Sequence, residues 1–245
     1  MIESPTELVA CVERAREKYG PDCWWRGHAS SRWKLIPGVF RDGRAKYETQ
    51  YLLRFAMRAS FLDKTSPPLH EEYLWRFYAQ HCGLPTRLLD WSTSALVAAW
   101  FACSPSKHQD EDGRLWLIDP FSLNDKCIGK RTIYAYLNAL PDELKALFDM
   151  ASIEGGAKGH VAALNSRTGA PRMLAQSAAF TVHSTISCVA DELKAIGVCE
   201  SFDIPASAKA RFLAILGDMG IRLSTLFPEV ENLAREIAGL TFAPP

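Results

Sequence analysis

The sequence predicts an α+β fold, an irregular mixed sheet flanked by helices. Three observations lead there. Strand-like and helix-like segments interleave without a regular βαβ rhythm. No G-x-G-x-x-G follows a strand, which removes a dinucleotide-binding Rossmann reading. The chain has 245 residues, 48% of them hydrophobic, enough to bury a sizeable core. We expect a single domain over 1–245, with its polar motifs in 23–104 and further strands and helices in 172–240.

The first helix is signalled by Ser4 and Glu7 at capping-box spacing, Pro5 at the first helical position, and a Leu8, Val12, Ala15 stripe ending near Gly20. Cys23 to Arg26 reads as a short strand closed by Gly27, and Trp33 to Ile36 as a second extended piece before Pro37. Tyr47 to Leu62 is helical, with Tyr51, Leu52, Phe55 and Ala59 on one face. Thr65-Ser66-Pro67-Pro68 breaks the chain before a helix over Glu71 to Cys82. After the Gly83-Leu84-Pro85 turn, Leu88 to Trp91 reads as a strand and Ala95 to Ala102 as a buried helix. Arg114 to Asp119 is an apolar strand. Between Phe121 and Pro171 only a helix near Asp142 to Met150 stands out, beside a Gly155-Gly156 pair. Ala178 to His183 and Val198 to Ile204 read as strands separated by a helix from Asp191 to Ile196. Helices at Ala206 to Leu216 and Glu229 to Ala238 follow.

Composition narrows function. Lys+Arg and Asp+Glu are both 28, so there is no basic excess for binding a nucleic-acid duplex. No apolar run approaches the ~20 residues of a membrane span, and the charged N-terminal stretch does not read as a signal peptide. Seven scattered cysteines without a C-x-x-C pair suit reduced thiols in a cytoplasm rather than disulfides or a zinc site. No metal and no membrane partner are expected.

The richest stretch is AQHCGLPTRLLDWSTSALVAAWFA, Ala79 to Ala102, which carries more polar specificity than packing requires. Arg26, beside Gly27 at a strand end, offers planar recognition of a phosphate or, alternatively, a salt bridge between strands. Ser92, Thr93 and Ser94 cap the following helix or form a hydroxyl cluster for an anion or amide. Arg87 and Asp90 bracket a Leu-Leu pair and read as a buried ion pair fixing the loop. His81 is either a general base or a structural histidine, whereas Cys82 has no orienting acid in sequence.

Trp25-Arg26-Gly27, then Trp33-Lys34-Leu35-Ile36-Pro37 and the Ala79–Ala102 stretch, resemble the FRG-domain family, named for an aromatic-Arg-Gly motif. Ala175-Gln176 with Phe180 resembles a third element of that family, and Gly220-Ile221 with Thr225 to Pro228 its closing helices. The family tends to have Gly two residues after the Gln, where this chain has Ala178.

A second resemblance is to the ADP-ribosyltransferase layout: Arg26 on an early strand, then Ser92-Thr93-Ser94 leading into a helix. It implies NAD as substrate, with Arg26, Gly27, Arg87 and the triplet binding it and the nicotinamide–ribose bond as the one broken. The acceptor would be protein, nucleic acid or water, and the setting that of a cytoplasmic toxin or anti-phage effector. No Gln-x-Glu or Glu-x-Glu is present, so the ribose-contacting role falls to Gln176, with Glu192 and Glu200 as further carboxylates and His81 as a base. The competing reading is a non-catalytic or RNA-directed module in which Arg26, His81, Arg87 and Asp90 bind a phosphorylated ligand. If the transferase layout holds, Arg26, Ser92 or Thr93, and Gln176 line one cleft with His81 at its rim and Glu192 or Glu200 nearby.

Overall fold

Helix α4 (Ala95–Cys103) lies across strand β1 (Trp24–His28) at a separation that only glycine allows. A Cβ on Gly27 would sit 2.0 Å from the Ala98 carbonyl oxygen and 2.6 Å from the Ala102 nitrogen. The alanines of α4 serve the same approach: Ala98, Ala99 and Ala102 are all buried.

A computed structural model describes residues 1–104, 106–136, 140–149, 153–166 and 171–239. Among them eleven α-helices surround one seven-stranded mixed sheet of order β4-β5-β6-β2-β1-β3-β7, which makes the fold α+β. The strands are β1, β2 (Leu88–Ser92), β3 (Gly113–Ile118), β4 (Tyr134–Tyr136), β5 (Val161–Ser166), β6 (Ala178–His183) and β7 (Cys199–Ile204). All neighbours are antiparallel except β4 and β5.

One face of the sheet carries α1 (Pro5–Tyr19), α4 and α9 (Ala206–Asp218) over Trp25, Leu115 and Leu117. Further along it, α3 (Glu72–His81) and α6 (Asp142–Asp149) lie over Leu88, Phe180 and Val182. The other face buries Trp24, Trp91 and Trp116 beneath Leu35, α5 (Pro120–Ile128) and α8 (Ala190–Ala195). Helix α2 (Glu48–Leu62) stands outside the sheet and packs on α3 through Ala56, Ala59 and Trp75.

The ladder is uneven. β1 meets β3 over five register pairs and β2 meets β6 over five, but β1 meets β2 only at Trp25 opposite Ser92. Beyond that pair the two central strands diverge, and the sheet splits.

Several expected elements form as the sequence predicts. Ser4 Oγ accepts from the Glu7 N–H, and Gly20 ends α1 with φ 91°. Two readings change. Trp33 to Ile36 is a loop rather than a strand, with Leu35 buried in the second face and Trp33 edge-on to His108. The 121–171 region is richer than one helix, holding α5, β4, β5 and α7 (Pro171–Ala175) as well as α6. β5 is hard to read because Val161 to Leu164 are buried on both faces and carry no alternation. Met150, at the end of the expected helix, lies outside the described residues.

Gly27→Ala should cost about 3 kcal/mol or more, because two backbone atoms of α4 and not a movable side chain block the methyl. Chemical denaturation checks this. A variant within ~1 kcal/mol of the parent would show that α4 can shift off β1.

Candidate functional site

A cleft of about 190 Å³ opens where β1 and β2 part. Its floor is Trp25, Gly27, Asp90 and Ser92; α4 forms one wall with Val97 and Phe101. The opposite wall comes from Gln80 and His81 at the end of α3 and from Arg172, Met173 and Gln176 on and after α7.

Arg26 alternates with Trp25 and Gly27, so its side chain starts on the opposite face of the sheet. It nonetheless reaches the cleft through the split, where its Nη1–H donates to the Asp90 carbonyl at 2.5 Å. The same nitrogen lies 3.8 Å from Asp90 Oδ2, and the Arg26 side chain is 18% exposed. Burial lowers its pKa from the usual guanidinium value, Asp90 opposes this, and Arg41 adds to it. The group remains cationic and poorly hydrated, which favours an anion at the cleft.

Two histidines on the far face complete the surroundings of Arg26. The Arg26 Nε and Trp116 Nε1 nitrogens each approach a ring nitrogen of His28, both at 3.2 Å. A neutral imidazole accepts at one nitrogen only, so the two donors compete for it. Trp91 Nε1–H donates to Thr181 Oγ1 at 3.0 Å, which lies 2.9 Å from His183 Nε2, while His183 Nδ1 is buried with no hydrogen-bond partner among the described residues. Burial, with the Arg26 charge behind it, pushes both His28 and His183 down to about 3. Both rings are therefore neutral at pH 7 and add no competing charge beside Arg26.

Asp90 is the carboxylate of the cleft. It shares a strand face with Ser92, two residues on, and its side chain is 49% exposed. The Gln80 amide donates to its Oδ2 at 2.7 Å, and Gln80 Oε1 accepts from Thr86 Oγ1, which fixes the carboxylate rotamer. His81 stands beside it; burial first, then Arg172, lowers its pKa, while Glu229 and Asp90 oppose the shift. Arg172 stacks over Phe227 at 4.1 Å and donates weakly to the His81 carbonyl at 3.4 Å.

The structure thus brings Arg26, Gly27, Ser92, Gln176 and His81 to one cleft. Ser92 Oγ–H donates to the Gln176 carbonyl at 2.7 Å and accepts from the Ser94 N–H. Gln176 Nε2–H donates to the Leu226 carbonyl. Ser94 Oγ caps α4 by accepting from the Val97 N–H, and Thr93 is exposed with its N–H on the Ser177 carbonyl. Ser177 takes φ 48° just before Ala178 and makes the corner that carries Gln176 to the cleft.

Three expectations need correction. Arg87 does not pair with Asp90, because an i, i+3 spacing along an extended chain points the two side chains to opposite faces. Arg87 instead pairs with Glu48 at the start of α2, Nη2 to Oε2 at 2.6 Å, and donates to the Leu147 carbonyl of α6. Glu200 sits on β7, two strands from β1, and is held by Lys18 and Tyr19 of α1. Glu192 on α8 packs against Gly156 and accepts from the Ala157 N–H. Neither glutamate lines the cleft. Sequence reasoning missed Gln80 as a site residue and gave Asp90 a ligand-binding role only in the phosphate-module reading; the two-residue spacing of Asp90 and Ser92 was the available signal for placing Asp90 with the triplet.

The FRG domain family model matches residues 21–111 of the chain. That span contains β1, the split and α4, together with the whole cleft floor. No curated protein and no solved structure matches the chain.

Two measurements follow from this geometry. Glu48→Gln or Arg87→Met alone should destabilise by about 3–5 kcal/mol, and the double change Glu48→Leu with Arg87→Met should recover much of it, as judged by urea unfolding. Single variants as stable as the parent would show that the pair ties nothing together. The buried histidines set a pH window. Their folded pKa values lie near 3, below the ordinary 6.5, so the unfolded chain binds more protons between those values and stability falls as pH falls through that window. The loss between about pH 7 and about pH 5 should shrink in His183→Leu; an unchanged difference would mean that His183 is not buried neutral.

Proposed function

We propose that this FRG-domain chain binds NAD in the split-sheet cleft and cleaves its nicotinamide–ribose bond. The observation that carries the reading is convergence: Arg26, Ser92 and Gln176, from β1, β2 and the turn before β6, meet in one concavity that also holds a carboxylate. At about 190 Å³ the cleft is smaller than the ~300–1,000 Å³ of sites enclosing a whole ligand, and it suits the nicotinamide–ribose end alone. The Arg26 and Arg172 guanidiniums then meet the diphosphate, in the bidentate manner that lysine does not reproduce. Phe101 and Trp25 supply aromatic surface for the nicotinamide ring.

In this reading the carboxylate that faces the oxocarbenium-like ribose is Asp90. As the C–N bond breaks, its electron pair leaves with neutral nicotinamide and positive charge develops on the ribose. Asp90, held by Gln80, is placed to stabilise that charge. Water or an acceptor nucleophile then bonds to the ribose carbon, and its proton passes to neutral His81. Such an activity suits a toxin or anti-phage effector acting in the cytoplasm, with protein, nucleic acid or water as acceptor.

The second reading, a phosphate-ligand module without catalysis, is favoured by one observation. The Ser92 hydroxyl and the Gln176 amide are already used in internal hydrogen bonds. Purified protein incubated with NAD separates the two. We expect nicotinamide release, abolished by Asp90→Asn with NAD affinity retained, a loss of ~10²-fold or more in turnover. Arg26→Ala should weaken NAD binding by about tenfold or more while the chain stays folded, its melting temperature falling only by the small amount that an unpaired Asp90 carbonyl accounts for. Binding without release would favour the second reading, and neither binding nor release would overturn both.

A further inference from the structure

Two helices present apolar stripes to solvent. On α2, Leu53, Met57 and Phe61 recur every fourth residue and are 61%, 59% and 89% exposed, with Leu62 beside them at 86%. These residues contribute nothing to the α2–α3 contact, which uses the opposite face. On α11 (Val230–Ala238), Val230, Leu233 and Ile237 are 77%, 47% and 51% exposed, and no residue of the helix is buried. Exposed apolar stripes of this kind mark interaction surfaces.

Their charges are opposite. Arg54 and Arg58 follow Leu53 and Met57 on α2 and are exposed, as is Lys64 just beyond, whereas the acidic Glu48 is buried on Arg87. On α11, exposed Glu229 and Glu231 flank Val230, with Glu236 further along and Arg235 the lone basic residue. At a rise of ~1.5 Å per residue, Leu53 to Phe61 spans about 12 Å and Val230 to Ile237 about 10 Å, so the stripes match in length. Pairing α2 with another α2 would set arginine against arginine, and α11 with α11 glutamate against glutamate.

We infer that α2 of one copy docks on α11 of a second copy, a head-to-tail contact built on opposite charge and matched apolar stripes. Each copy offers both surfaces, so the association is open to further addition unless its rotation closes a ring. Two short helices bury less than the ~1,200 Å² of a standard interface, so the contact is weak and reversible and is loosened by salt.

Sedimentation velocity on the full chain tests this. The mean mass should rise from monomer past dimer between low and high micromolar protein and fall back in raised salt. Met57→Glu with Phe61→Glu, and separately Leu233→Lys with Ile237→Lys, should each remain monomeric; all four sites are exposed, so both variants should keep the parent's melting temperature. Mixed together, the two variants should form dimers and stop there, because each retains the surface that the other lost. Three outcomes overturn the inference: a parent monomeric throughout, self-association surviving in either variant, or a mixture that does not pair. Flotation of the monomeric parent with phosphatidylserine vesicles would assign α2 to an anionic membrane instead.

Discussion

Everything in the candidate site depends on the parting of β1 and β2 after one register pair. A continuous ladder there would leave Arg26 on the far face and close the floor of the cleft. The split requires β1 to be held from another side, and α4 does that through its contact at Gly27. A similar demand appears on the next strand, where a Cβ on Gly113 would lie 2.6 Å from the Ala102 carbonyl. Two glycines therefore let one helix clamp two adjacent strands. With β1 fixed to β3 and α4, β2 is free to follow β6, and the space between them becomes the site.

The split also explains why a charged group tolerates such a position. Arg26 donates to a backbone carbonyl whose own ladder partner is missing, so guanidinium and orphaned acceptor satisfy each other. The neighbouring histidines are held neutral by burial, so they add no positive charge to that of Arg26, which Asp90 offsets. An incoming anion meets a guanidinium already stripped of much of its water, and the protein bears that desolvation cost during folding.

Much of this was legible in the chain. Gly27 after Trp-Arg, the alanines of α4 and the capping hydroxyl of Ser94 each have a local cause, and each forms as its residues suggest. The α+β class followed from the irregular alternation of elements. What escaped depended on long-range partners. Arg87 finds Glu48, which is 39 residues away, and nothing in the spacing names that glutamate. Asp90 looked like the partner of Arg87 because the two are close in sequence, yet strand geometry separates them. The role expected of Glu192 or Glu200 rested on a resemblance with no matching motif, and each has a structural task elsewhere. β5 escaped because burial on both faces erases the period by which strands are recognised.

The cleft divides its polar groups by duty, and that division limits how it can work. Ser92, Ser94 and Gln176 spend their hydrogen bonds on joining β2, α4, α7 and the 226–227 segment into a rigid frame. Asp90, His81 and Arg172 stand at the surface of that frame, with Arg26 beneath them. A ligand therefore meets two cations, a neutral imidazole and one carboxylate, set on elements whose geometry is fixed before it arrives. Preorganisation of this kind favours a ligand that is anionic at one end and develops positive charge at the other, since both signs are already in place and neither needs to be moved. A ligand carrying only phosphate would gain from Arg26 and Arg172 but would face Asp90 at a cost. That asymmetry is the physical reason to place bond cleavage in NAD ahead of simple phosphate binding.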